Sequence, residues 1–359
     1  MKILFVAAGS FPGNASFIRP AALGGELLRL GHDPVYCLTE ASGTRQLLEQ
    51  YGVPNRCVWA ASRSPLDFAR ACGQFEGVDF VHLINANLAG EVVGLRLRKL
   101  GARVISDWDE WLSTVPRGPL AQSKYRAMEW VARRISSGFV FSSTYLQNEY
   151  RKYLPGIPTA YIPYGFNPSG AISPGLAEKV LRPGRRYALY LGSLSDSYRE
   201  DLRELVLLAQ CCRDLDLDLV VAGDGSERAW VEAEVGKHLP DGRAVFTGQL
   251  TLPVLDGLVP AESIRLSFLP LKDTPQNRSR CPNKVFHYIR GGKPVVTNRV
   301  GEPANLLGDR GHYYQYGERA SMTAAVTQAM EHRVVYPVDQ FTWAGRAAAY
   351  VRFLEENFR

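Results

Sequence analysis

Short apolar, β-branched runs alternate with amphipathic stretches of helical period, and the whole alternation occurs twice along the chain. A strand that is apolar on both faces must be covered on both faces, so βαβα order demands a parallel sheet with helices on either side. In the first half, residues 2–8, 34–38, 80–84, 103–106, 139–142 and 159–162 predict strands, and residues 18–30, 89–100 and 120–136 predict helices. Residues 163–186 hold four Pro and four Gly and interrupt the pattern as a linker. It then restarts, with strands predicted at 187–191, 217–222, 244–247, 266–269 and 294–297 and helices at 199–213, 228–238, 283–290 and 344–358. A chain of 359 residues is long enough for two separate cores. The expected architecture is α/β, two Rossmann-like, doubly wound parallel-sheet domains that face each other across a cleft. The expected boundaries are 1–165, a linker at 166–186, 187–340, and a terminal helical segment at 341–359.

Composition narrows the partners. The formal net charge of +6 and pI near 9.0 suit anionic partners such as nucleotide phosphates, anionic lipid or nucleic acid. No nucleic-acid motif accompanies the charge. The six cysteines show neither a C-x-x-C pair nor metal-ligand spacing, so reduced thiols and a cytoplasmic location are expected. The first residues read as a buried strand rather than an export signal, and no window approaches 18 apolar residues.

In the second half, three successive predicted strands end in glycine: Gly192-Ser193, Gly223-Asp224-Gly225 and Gly248. Each alone fits a tight βα turn; three together favour one concave site where backbone N–H groups approach a ligand. Further on, Pro282 sets the first turn of a helix that begins with Asn283 and Lys284. An anion is favoured there, and Lys284 adds a point charge suited to a diphosphate. His287 follows one turn later on the same face, while Arg278 and Arg280 precede. The plain alternative for these side chains is a solvated helix face.

In the first half, the loop at 9–16 contains Gly9, Ser10 and Asn14 but no G-x-G-x-x-G, which argues against a dinucleotide. His82, within a strand, reads more naturally as a buried structural residue than as a catalyst. Asp107, Asp109 and Glu110 follow a β-branched strand, where a carboxylate can orient or deprotonate an acceptor hydroxyl. Asp107-Trp108-Asp109 would suit Mg²⁺ or Mn²⁺ in principle, but it lies in the half that should not carry the nucleotide, so no metal is expected. Residues 120–136 carry Lys124, Arg126, Arg133 and Arg134 with Tyr125, Met128 and Trp130. Such a helix either lies on an anionic membrane or is an ordinary surface helix.

Pro282, Lys284, Phe286, Tyr288, Gly292, Lys293, Pro294, Val295 and Val296 match, in place, the pattern Pro-x-Lys-Leu-Phe-Glu-Tyr-x-x-x-Gly-Lys-Pro-Val-Val. This resembles the donor-site signature of GT-B glycosyltransferases, in a divergent form of the large retaining, nucleotide-sugar-dependent family. Residues 190–194, 219–225 and 245–248 resemble that family's other strand ends. The resemblance implies transfer of a sugar from a nucleotide-diphosphate sugar, such as a UDP- or GDP-sugar, to an acceptor hydroxyl. It implies a place in glycan, glycolipid or polysaccharide biosynthesis, retention of configuration, no metal and no cofactor beyond the donor. Gly192, Ser193, Gly223, Asp224, Gly248, Arg278, Arg280, Asn283, Lys284 and His287 fall on the donor side. Gly9, Ser10, Asn14 and His82 fall on the side of a sugar, lipid-linked or small-molecule acceptor. Asp107 and Asp109 are the catalytic expectation, above all as the base of an inverting reaction. The terminal helix with Trp343 is similar to the family helix that returns to the first domain. An inner-membrane-face location accompanies lipid-linked acceptors. Where the retaining branch carries two Glu, Ser279 and His287 stand here. Two alternatives remain: a nucleotide-sugar-binding partner without activity, and a UDP-sugar epimerase of the same fold.

Overall fold

The computed structural model describes residues 1–7, 15–40, 43–53, 56–75, 77–115, 118–167, 180–240 and 242–358; the loop residues Gly9, Ser10 and Asn14 lie outside them. Contacts divide the chain into two compact units. The first comprises Met1–Gly165, Arg278–Cys281 and Thr342–Arg359, and the second Phe166–Asn277 and Pro282–Phe341.

The first unit runs β1 (Lys2–Ala7), α1 (Ala15–Arg29), β2 (Asp33–Thr39), α2 (Thr44–Gln50), β3 (Cys57–Ala60), α3 (Pro65–Ala71), β4 (Phe80–Ile84) and α4 (Leu88–Lys99). It continues through β5 (Arg103–Trp108), α5 (Pro119–Ile135), β6 (Gly138–Phe141), α6 (Thr144–Arg151) and β7 (Thr159–Tyr161). The strands form one parallel sheet in the order β3-β2-β1-β4-β5-β6-β7. The direction of winding reverses between β1 and β4, where such sheets place ligands. Every residue of β4 is buried, and β1 is buried from Ile3 onward, as a strand covered on both faces requires.

The second unit runs β8 (Tyr187–Leu191), α7 (Arg199–Asp214), β9 (Asp218–Ala222), α8 (Arg228–Gly236), β10 (Ala244–Gly248), α9 (Leu252–Leu258) and β11 (Ile264–Leu269). It closes with α10 (Pro275–Ser279), whose last residues belong to the first unit, α11 (Lys284–Arg290), β12 (Val295–Thr297), α12 (Gly301–Leu307), β13 (His312–Tyr313) and α13 (Arg319–Glu331). Its parallel sheet is ordered β10-β9-β8-β11-β12-β13, with the reversal between β8 and β11. The terminal helix α14 (Trp343–Phe358) packs within the first unit against α1.

Most predicted elements shift by one to three residues at an end. Several elements are not predicted at all: α6, α9, α10, α12, β13 and α13, and, between β2 and β4, α2, β3 and α3. Each helix there has only seven residues, and the edge strand β3 leaves Cys57, Val58 and Trp59 half-buried, so its apolar signal is weak. β5 extends two residues further than predicted. Trp108 draws it on by packing against Phe139, Phe141 and Tyr150, with ring centroids 4.3–6.3 Å away.

Candidate functional site

Strand ends of the second unit converge without side chains. Gly192 follows β8, Gly223 follows β9, and Gly248 ends β10. Gly192 N–H donates to Ala222 at 3.0 Å, and Gly223 bridges to Gly248. The backbones are so close that a Cβ on Gly223 would collide with the Gly192 carbonyl. Leu194 N–H donates to Asp224 at 2.9 Å, which folds the chain after β8 over the end of β9. The three glycines therefore form a row across neighbouring strands, half-exposed at Gly192 and Gly223 and buried at Gly248, and Ser193 and Asp224 beside them are exposed.

A cation stands at each end of this row. At one end, Tyr288 of α11 is fully buried; its hydroxyl accepts from Leu191 N–H of β8 at 2.8 Å and donates to the Phe268 carbonyl of β11 at 3.1 Å. That one side chain spans the reversal point of the sheet and pins α11 there. Lys284, four residues earlier, lies one turn away on the same face. Its Nζ sits 4.4 Å over the Tyr190 ring and 3.4 Å from the Tyr190 hydroxyl. A Cβ added to Gly192 would come 2.6 Å from that Nζ, so glycine here is what leaves the ammonium room beside the strand end. At the other end stands Arg228, the first residue of α8. Its guanidinium lies 3.5 Å from Asp224, 3.3 Å from the Phe246 carbonyl and 3.3 Å from where a Gly248 Cβ would be. Sequence reasoning missed Arg228; its one signal is its place as the first helical residue after a glycine-rich strand end.

Several expected donor-side residues lie elsewhere. His287 does not share the surroundings of Lys284: its half-buried ring lines a small space with Leu255, Asp256 and Val259 of the α9 segment, and burial lowers its pKa despite Asp256. α11 has seven residues and Asn283 makes no side-chain cap bond, so the positive charge at this place comes from Lys284 rather than from a long helix dipole. Arg278 and Arg280 group with the first unit. The neighbouring Ser279 accounts for this: its carbonyl accepts from the Ser143 hydroxyl at 2.6 Å and its Oγ from Trp111 N–H at 3.4 Å. The Lys293 of the motif is structural, with Nζ donating to the Ala261 carbonyl at 2.8 Å and burial lowering its pKa.

In the first unit the expected catalytic pair separates. Asp107 is buried, with Oδ2 accepting from Arg19 Nε at 2.6 Å and lying 3.0 Å from His82 Nε2. His82, itself fully buried, faces the Tyr350 hydroxyl of α14 at 2.7 Å with its other ring nitrogen. Burial alone would raise the Asp107 pKa; Arg19 and His82 together outweigh it and hold the carboxyl below its usual range. Asp107 and His82 are thus interior partners that tie β5 and β4 to α1 and α14, which corrects the expectation of a base and an acceptor contact. Asp109, one residue beyond β5, is half-exposed; its Oδ2 accepts from the Tyr164 hydroxyl at 2.8 Å.

Residues 185–332 match the family Glycosyl transferases group 1. The matched domain contains the whole glycine row, Arg228 and Lys284. No curated protein matches the chain. Among solved structures, HepE of Anabaena in complex with UDP-glucose is 16% identical, with 99% of this chain and 95% of that one covered and a TM-score of 0.71. The pneumococcal O-GlcNAc transferase GtfA in complex with UDP and GlcNAc is 11% identical over 100% and 99%, with a TM-score of 0.71. UDP-GlcNAc 2-epimerase from Methanocaldococcus jannaschii is 12% identical over 99% and 100%, with a TM-score of 0.67. The group 1 match and these likenesses give the chain the two-domain GT-B fold.

Proposed function

We propose that the chain is a nucleotide-sugar-dependent glycosyltransferase whose donor diphosphate lies along the glycine row of the second unit. The observation that carries this is the anchoring of Lys284 at the sheet reversal by Tyr288, with its ammonium beside Gly192. Backbone N–H groups and a fixed ammonium stabilise the charge that grows on a departing nucleoside diphosphate, and they need no reorganisation as it grows. The group 1 match of this same segment supports the reading, as does the binding of UDP and sugars by HepE and GtfA. An epimerase shares the fold, but the match of the donor segment is to glycosyltransferases.

The finer reading is retention without a metal. Lys284 supplies positive charge at one end of the row, where a metal would otherwise serve, while Arg228 at the other end is shared with Glu232 at 2.7 Å and Asp224 at 3.5 Å. Asp107 is turned inward, so the strand end after β5 offers Asp109 to orient an acceptor hydroxyl. The anomeric configuration of the first-formed product, followed by NMR, tests retention, and full turnover in EDTA tests metal independence. A screen of UDP-, GDP- and dTDP-sugars by thermal shift tests the donor assignment. A true donor at 100 times its Kd stabilises by about 2.7 kcal/mol; no shift with any of them contradicts it.

A lipid-linked acceptor on an anionic membrane fits α5. Leu120 is 89% exposed and Trp130 48%, and the Arg134 guanidinium lies 3.4 Å over the Trp130 ring. Among the described residues no helix is long and apolar enough to cross a membrane. Co-sedimentation with phosphatidylglycerol vesicles at low salt, lost in Trp130→Ala/Arg134→Ala, is the expected result; no binding by the unmodified chain removes this part of the reading.

A further inference from the structure

We infer that the first unit carries a sugar-binding subsite at the carboxyl ends of β2 and β3, built around Trp59, that holds a ring of the acceptor remote from the reacting hydroxyl. This rests on the glycosyltransferase reading above and names the acceptor class: a saccharide of more than one ring.

The cavity is about 370 Å³, within the range of small-molecule sites of about 300–1,000 Å³. Thr39, Glu40, Trp59, Ala60, Ser62 and Arg63 line it. Thr39 is the last residue of β2 and Ala60 the last of β3, and the two are paired in register. The cavity thus opens at the sheet edge where parallel folds bind ligands. It lies about two strand spacings, roughly 10 Å, from the reversal between β1 and β4. A ring bound there is one sugar or more away from a hydroxyl reacting at the reversal.

Side chains around its rim contact one another. The Arg45 guanidinium stacks 4.5 Å from the Trp59 ring centroid, and its Nε donates to Glu40 at 2.7 Å. Ser62 Oγ donates to Asp67 at 2.6 Å and accepts from Ser64 N–H at 3.1 Å, while Ser64 caps α3 by accepting from Asp67 N–H at 3.2 Å.

The lining chemistry selects the ligand. The half-buried indole, with Arg45 over one face, lends the cavity apolar surface suited to the C–H side of a pyranose ring, and Glu40, which also accepts from Arg45, can accept from ring hydroxyls. An apolar ligand would desolvate Glu40 and Ser62 without replacing their hydrogen bonds. A saccharide, apolar on its ring faces and ringed by hydroxyls, satisfies both demands.

Saturation-transfer NMR on the full chain tests this with methyl glycosides of glucose, galactose, mannose and N-acetylglucosamine, methyl cellobioside and methyl maltoside, and uridine as the aromatic control. The expected result is saturation on ring C–H protons for at least one glycoside, stronger for a disaccharide. Trp59→Ala should cut it at least fivefold, Trp59→Phe should keep part of it, and Glu40→Gln should weaken it. Lys284→Ala should leave it unchanged. The proposal is overturned if no glycoside shows saturation with the unmodified chain. It is equally overturned if the signal persists in folded Trp59→Phe and Trp59→Ala alike, or if uridine alone shows Trp59-dependent saturation. UDP-glucose is titrated into the same samples: a lost subsite with intact donor binding sinks this inference alone, and absent donor binding sinks the donor reading separately.

Discussion

At the strand ends of the first unit, Asp107 turns inward onto Arg19 and His82; at those of the second, side chains are missing at Gly192, Gly223 and Gly248 while Lys284 and Arg228 come from helices at either end of the row. Both ends are polar in sequence. They differ in what the polarity meets. A carboxylate at the end of a buried strand is drawn into the core when an aromatic neighbour extends that strand, as Trp108 does for Asp107. Glycine has no side chain to be drawn in, so it leaves room for a ligand to approach the backbone. A charged residue at a strand end is therefore weaker testimony for chemistry than a missing side chain with a cation nearby.

The largest expected effect breaks the comparison on the first side. Asp107→Ala leaves the buried Arg19 without its counter-charge and should cost about 3–5 kcal/mol of stability by urea unfolding, with donor affinity unchanged where the chain stays folded. A neutral effect would show that the pair is not an interior strut. The pH dependence has a definite sign. Because the folded-state pKa of Asp107 is lowered, its contribution is full above the ordinary carboxylate range and is lost as pH falls through the lowered value.

Gly223→Ala acts on the second side. Its methyl would meet backbone, not a movable side chain, so about 2–3 kcal/mol of destabilisation is expected together with weakened donor binding. Unchanged stability and affinity would show that the strand ends are not as closely set as the hydrogen bonds demand.

Glu91 sharpens the contrast further. Both of its carboxylate oxygens are buried without a hydrogen-bond partner among the described residues, and burial pushes its pKa up to about 8. The folded state then holds a proton that the unfolded state releases, so stability falls as pH rises from about 4.5 toward 8. Glu91→Gln should remove that slope and stabilise the chain at pH 8 by about 1–2 kcal/mol. An unaltered pH profile of the melting temperature would contradict it. Smallest is Asp109→Asn, where an orienting carboxylate predicts about a tenfold loss of kcat; a loss of about 10²–10⁴ would instead mark a general base and an inverting reaction.

The two sheets were legible in the sequence because buried parallel strands must be apolar throughout, as residues 80–84 and 187–191 show at their ends and between them. The segment from α2 to α3 was not, since two-turn helices and a half-buried edge strand carry almost no period, and the Trp59 cavity lies there. Lys284 and the glycine row were legible through one ordered motif and its three preceding turns. Arg228 was not, because only β10 folding beside β9 brings its helix start to Gly248. Asp107 and His287 misled for a shared reason: spacing along a strand or helix gives the face of a side chain, while the neighbours that claim that face come from elsewhere in the chain.

The most direct test is calorimetric titration of the best donor nucleotide sugar into the unmodified chain and into Lys284→Ala. A charge-assisted contact to phosphate is worth about 1.5–3 kcal/mol, so the variant should bind about 10- to 150-fold more weakly at unchanged stability. Equal affinity in a folded Lys284→Ala chain would contradict the account.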